Sequence, residues 1–160
     1  MLGIGIIWNT VYQYKDLIIN DMTNKVTIVD TFDINLQEKL GDFVNAIYDS
    51  ENMERWKIEN KIAHMTQNCN TCVTVVFFEF DCQNIEYHPF KKKNVYKELE
   101  DCKKYIREKY KQYVENYTFD IVFHATDNLD ELTNCYNIIA SYITENIKDK
   151  DKQKIKRIIK

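Results

Sequence analysis

His124 closes the apolar run 118–124 (TFDIVFH) and opens a polar segment, Ala125-Thr126-Asp127-Asn128, after which a helical pattern begins at Leu129. An imidazole at the start of a helix meets unpaired backbone N–H groups and the positive end of the helix dipole. Such a terminus attracts phosphate, and a neutral ring beside it can act as nucleophile or general base near neutral pH. The same residues also read as a capping motif with a packed histidine nearby. Cys69-Asn70-Thr71-Cys72 is a C-x-x-C pair with Cys82 and His88 downstream. Four such groups suit zinc, and the pair alone suits a redox dithiol. The pair falls in a turn before a strand, with no helix N-terminus to lower a thiol pKa, so ordinary cysteines are the simplest reading. His64 reads as a packing or surface residue and His88, beside Pro89, as a loop residue. Lys91-Lys92-Lys93 reads as a solvated cluster or a phosphate contact. No glycine-rich phosphate loop, zinc-protease motif or serine nucleophile elbow is present.

The elements that must position these groups follow from periodicity, turn signals and length. Residues 4–8 predict a short buried strand. Asn9 predicts a cap for a helix over about 10–22, with Val11, Tyr14, Leu17 and Ile18 on one face. Residues 25–33 alternate and are β-branched, as an edge strand would be. Asn35 predicts the cap of a helix over 36–49, and a second helix follows over about 52–67. The continuous apolar run 72–80 (CVTVVFFEF) predicts a central strand covered on both faces. A loop over 81–92 then precedes a helix of about 93–114, a last strand over 118–124, and a helix of about 129–147 capped by Asp127 or Asn128. Four strands alternating with helices fit a doubly wound parallel sheet or a ferredoxin-like antiparallel one with helices packed on it. The alternation in 25–33 favours the second.

The chain has 160 residues, the size of one domain with a real core. With 44% hydrophobic and 29% charged residues it reads as globular α/β (α+β) rather than disordered. No apolar run is long enough to cross a bilayer, and residues 1–8 lack the basic front of a signal peptide. A cytoplasmic protein with five reduced thiols is the expectation. Net charge is −3, but 148–160 (KDKDKQKIKRIIK) carries seven basic and two acidic side chains, leaving −8 elsewhere. That imbalance argues against a general nucleic-acid binder. The tyrosines and phenylalanines lie at core spacing, not on a basic platform for single strands. Residues 1–147 therefore read as one domain and 148–160 as a basic, solvated tail.

The segment His124-Ala125-Thr126-Asp127-Asn128 resembles the His-Gly-Ser-Asp-Ser active-site signature of nucleoside diphosphate kinases. Upstream, 106–110 (IREKY) is similar to that family's Ile-Arg-Gly-Asp-Phe segment. His64-Met65 followed by 75–79 (VVFFE) is similar to its Met-Ser-Gly-Pro-Val turn and strand. The order of elements is also the family's. The resemblance spans about residues 4–145 and is specific only near 106–131. It implies a histidine, His124, that takes the γ-phosphate of a nucleoside triphosphate and passes it to a diphosphate, with Mg²⁺ on the phosphates. It also implies phosphate contacts from Arg107 and Tyr48, a hydroxyl near the histidine from Thr126, base stacking near Trp56, and possible homo-oligomers. Several family positions differ. Trp8 stands where the family has a phosphate-binding lysine, Ile121 where it has asparagine, and Cys135 about where a glutamate orients the imidazole. The Gly/Pro-rich loop before the last strand is missing from 111–117. Losing a phosphate lysine costs roughly several kcal/mol of transition-state stabilisation, and Lys91, Lys92, Lys93 and Lys103 are candidates to compensate. Three readings follow: phosphoryl transfer through His124, a nucleotide- or phosphate-binding module without turnover, and an interaction protein that keeps only the fold.

Overall fold

In sequence order the chain forms β1 (Leu2–Ile7), α1 (Lys15–Met22), β2 (Thr27–Asn35), α2 (Leu40–Asp49), α3 (Arg55–Thr66), β3 (Cys72–Glu79), β4 (Ile85–His88), β5 (Lys93–Tyr96), α4 (Lys97–Tyr110), β6 (Phe123–Ala125) and α5 (Leu129–Asn146). The computed structural model describes residues 1–146 and Gln153, so the basic tail otherwise lies outside the described residues. Four strands make one sheet in the order β2-β3-β1-β6, and every neighbouring pair is antiparallel. This is the ferredoxin-like arrangement, in which each helical crossover leaves room for a third strand between the two it joins. It excludes the doubly wound parallel sheet.

β3 lies inside the sheet and is buried from Val73 to Phe78, as its unbroken apolar run requires. β2 lies at the edge and alternates. Helices form two groups, α1 with α4, and α2 with α3 and α5. The first is tied by Asp21, which accepts from the Tyr110 hydroxyl at 2.7 Å. In the second, the Phe43 ring meets Tyr142 edge-on at 5.1 Å.

Several local expectations are overturned. Asn9 caps nothing: its side chain is buried and its amide donates to the carbonyls of Met65 and Asn70. The stretch expected to be helical therefore starts with a 3-10 segment, Asn9–Tyr14, broken at Val11, and α1 begins only at Lys15. Asn35 likewise lies in β2, and a 3-10 turn, Gln37–Lys39, precedes α2. The loop expected over 81–92 contains β4, paired with β5, so α4 starts at Lys97 rather than 93. Its turn uses Pro89 and a left-handed Lys92 (φ 53°), whose N–H donates to the His88 carbonyl. The last strand shrinks to three residues because Phe119 is left-handed (φ 53°) and the Asp120 carboxylate takes the N–H of Val122 at 3.1 Å. Side-chain capture of this kind competes with a ladder.

β1 lies between β3 and β6, and Gly5 opposes Ala125 there. A Cβ at Gly5 would stand 2.7 Å from the fully buried Phe123 ring. Gly5→Ala is expected to cost about 1–3 kcal/mol by overpacking, read as a lower midpoint in urea. An unchanged midpoint would mean that the Phe123 ring swings aside freely.

Candidate functional site

β6 sets His124 opposite Ile6 on β1, which places the ring near two aromatic walls. Trp8 stands 6.5 Å from it and Tyr48, in the last turn of α2, meets it edge-on at 5.4 Å. The Trp8 indole donates to the Tyr48 hydroxyl at 3.1 Å. The link between α2 and α3 brings in Glu51, whose Oε1 lies 3.0 Å from His124 Nε2. It sits off the ring N–H axis, so Nε2 is buried with a close acceptor but no well-directed hydrogen bond. Burial pushes the Glu51 carboxyl upward, yet the charge and contact of His124 outweigh this and hold it below the ordinary range. His124 itself is 4% exposed.

A cleft of about 610 Å³ opens beside this ring. Its lining carries six cationic side chains, Lys57, Lys61, Lys91, Lys93, Lys103 and Arg107, against four carboxylates, Glu51, Glu54, Asp120 and Asp127. Phe90 and Phe119 stand on its walls. Another hollow, of about 420 Å³, holds His64 but no lysine or arginine.

The charges are extensively paired. Asp127 accepts from Lys103, from Lys91 at 3.0 Å and from Lys93 at 3.1 Å. Glu100 accepts from Lys91 at 2.6 Å and from Lys103 at 2.8 Å, and Lys93 also reaches Glu131. Burial pushes Asp127 up, but Lys103, Lys91 and Lys93 overwhelm that and hold it far below the usual carboxylate range. Burial pulls the Lys103 amine down, against the opposing pull of Asp127 and Glu100 beside it. Arg107 pairs with Asp120 at 2.5 Å and donates to the Phe123 carbonyl at 3.0 Å, which fixes the base of β6.

Arg107, Tyr48 and His124 thus surround one cleft. Thr126 does not line it. Its hydroxyl stays with the Ile4 backbone, inside the sheet. Trp56 is half exposed on α3 and stacks edge-on against Phe119 at 5.3 Å, one ring back from the cleft. The start of α5 offers no open phosphate site. Asn128 caps it by accepting from the Glu131 N–H at 2.9 Å, and Glu131 accepts from the Asp127 N–H at 2.7 Å. Carboxylates already meet the helix dipole there.

Glu51, Lys61, Asp120 and Phe119 escaped the sequence reading because they lie in links or amid a helix without a motif. Of the proposed stand-ins for the family's lysine, Lys91, Lys93 and Lys103 reach the cleft, while Lys92 does not line it. Trp8 is fully buried core. Cys69 and Cys82 are exposed, and Cys102 and Cys135 buried. Among the described residues no three His, Cys, Asp or Glu side chains gather to hold a metal ion. The cleft is likewise no dedicated Mg²⁺ cage, its Asp120 and Asp127 being tied to cations. Among those residues no helix is long and apolar enough to cross a membrane.

No protein-family model matches the sequence, and no curated protein matches it. Solved structures do. The nucleoside diphosphate kinase of Aquifex aeolicus is 11% identical, with a TM-score of 0.48 over 86% of this chain and 93% of that one. A nucleoside diphosphate kinase family protein from Babesia bovis is 10% identical, with a TM-score of 0.48 over 86% of each chain. The likeness is one of fold.

Proposed function

We propose that the cleft binds the phosphates of a nucleoside di- or triphosphate, or of another phosphorylated small molecule, and that His124 accepts a phosphoryl group there. One juxtaposition supports this reading. A cleft-lining imidazole has a carboxylate 3.0 Å from Nε2 and shares the cleft with Lys61, Lys103 and Arg107. Such cations suit the charge spread over a transferring phosphoryl group. The Nδ1 lone pair would form the N–P bond as the bond from phosphorus to the leaving diphosphate oxygen breaks, that oxygen keeping the electron pair. Glu51 would stabilise the positive charge the ring gains. A diphosphate acceptor would reverse the step. Mg²⁺ arriving on the ligand's phosphate oxygens would supply further charge neutralisation.

The test is incubation with γ-labelled ATP and Mg²⁺. Acid-labile, alkali-stable label is expected on the wild type and none on His124→Ala. Equal label on both, or label that survives acid, would remove His124 from the chemistry. A binding module without turnover is the second reading, favoured by how little of the ring is exposed and how many cations are already paired. It predicts a nucleotide-dependent rise in Tm with no label.

A further inference from the structure

We infer that Lys61 is the residue that receives the ligand's phosphate in this cleft. The inference rests on the phosphate-binding reading above and names its anchoring charge. The other cleft cations each hold a carboxylate: Lys57 has Glu54, Arg107 has Asp120, and Lys91, Lys93 and Lys103 share Asp127, Glu100 and Glu131. Lys61 differs. It is 4% exposed, its amine donates to the main-chain carbonyl of Asp120, and it forms no ion pair with a carboxylate among the described residues. A buried ammonium without a counter-ion is costly. A ligand anion meets that cost, whereas the paired lysines would first have to release their carboxylates.

Position agrees with charge. The Lys61 amine lies 4.4 Å from the centroid of the Tyr48 ring, and the His124 ring meets the same Tyr48 ring. Lys61 and His124 thus share the Tyr48 ring and line the same cleft. Burial pushes the amine down to about 8. Asp120 and Glu51 face it and raise the value, while Arg107 faces it and lowers it. Tyr48, also against it, stays neutral because its phenol is pushed well above its ordinary value. The folded value lies below that of the unfolded amine, so the charged form is less favourable here than in water and is strengthened by an anion beside it. Anion binding accordingly weakens as pH rises through about 8.

Isothermal titration of the full chain with ATP, at pH 7 and pH 9, tests this. Wild-type affinity is expected to fall about tenfold between the two. Lys61→Arg keeps its charge and is expected to lose little over the same range, which also controls for ionisation of the probe. Lys61→Gln is expected to bind at least tenfold more weakly at pH 7 while melting no lower than wild type, because it removes a buried charge that has no ion-pair partner among the described residues. A lysine with a merely structural role would lower Tm instead. Wild-type affinity in Lys61→Gln, or the same pH loss in Lys61→Arg, overturns the assignment and leaves the cleft reading standing. No ATP binding by any form overturns both.

Discussion

Asp127→Ala is expected to cost about 3–5 kcal/mol of folding stability, the range for breaking a buried ion pair from one side. The substitution removes the carboxylate on which Lys103, Lys91 and Lys93 converge. Lys103 is 3% exposed and has little water to turn to. Lys91 and Lys93 belong to the β4–β5 hairpin, so the change also unties that hairpin from the start of α5. Urea denaturation reads the loss, and a change below about 1 kcal/mol would show that the lysines relax into solvent. The acid side offers a second reading. The folded Asp127 value is depressed, so its contribution is complete above the unfolded value near 4 and drains away as pH falls below that. The wild type should lose stability more steeply in acid than Asp127→Asn, and parallel curves would refute the linkage.

Trp8→Ala is expected to cost about 3–5 kcal/mol, the range for a large buried aromatic. Trp8 is fully buried, packs on Phe43 at 6.1 Å and Tyr48 at 5.8 Å, and bonds the Tyr48 hydroxyl. Its removal opens a void beside His124 and takes away the partner that holds Tyr48 in place. Trp8→Lys is the more informative change, since it writes back the lysine of the resembled family. Here that ammonium would enter packing already filled by Phe43, Tyr48 and His124. Melting at least as far below wild type as Trp8→Ala is expected, with no gain of label on His124. A folded Trp8→Lys protein with more label would show that the position still belongs to a phosphate site.

Much of the fold was legible in residue pattern. The unbroken run at 72–80 pointed to an interior strand, and alternation at 25–33 to an edge, because the side chains of a strand face opposite ways in turn. Of the two, only the alternation favours the antiparallel sheet that forms. The β4–β5 hairpin was not legible. Its strands have four residues each, and the apolar spacing of Val95 and Leu99 also fits a helix. The cap at Asn9 failed because an amide side chain takes whichever partner folding brings near, and here the carbonyls of Met65 and Asn70 arrive from more than fifty residues away.

The site divides in the same way. Sequence by itself determined that His124 stands where the last strand runs toward the last helix, and that Arg107 lies on the preceding helix. Each of these depends on residue type and local spacing alone. Only the tertiary structure decided that Glu51 reaches the imidazole, that Asp127 gathers three lysines, and that Lys61 is buried without a carboxylate. Ion pairing and burial depend on distances between segments remote in sequence, and no local period records those distances.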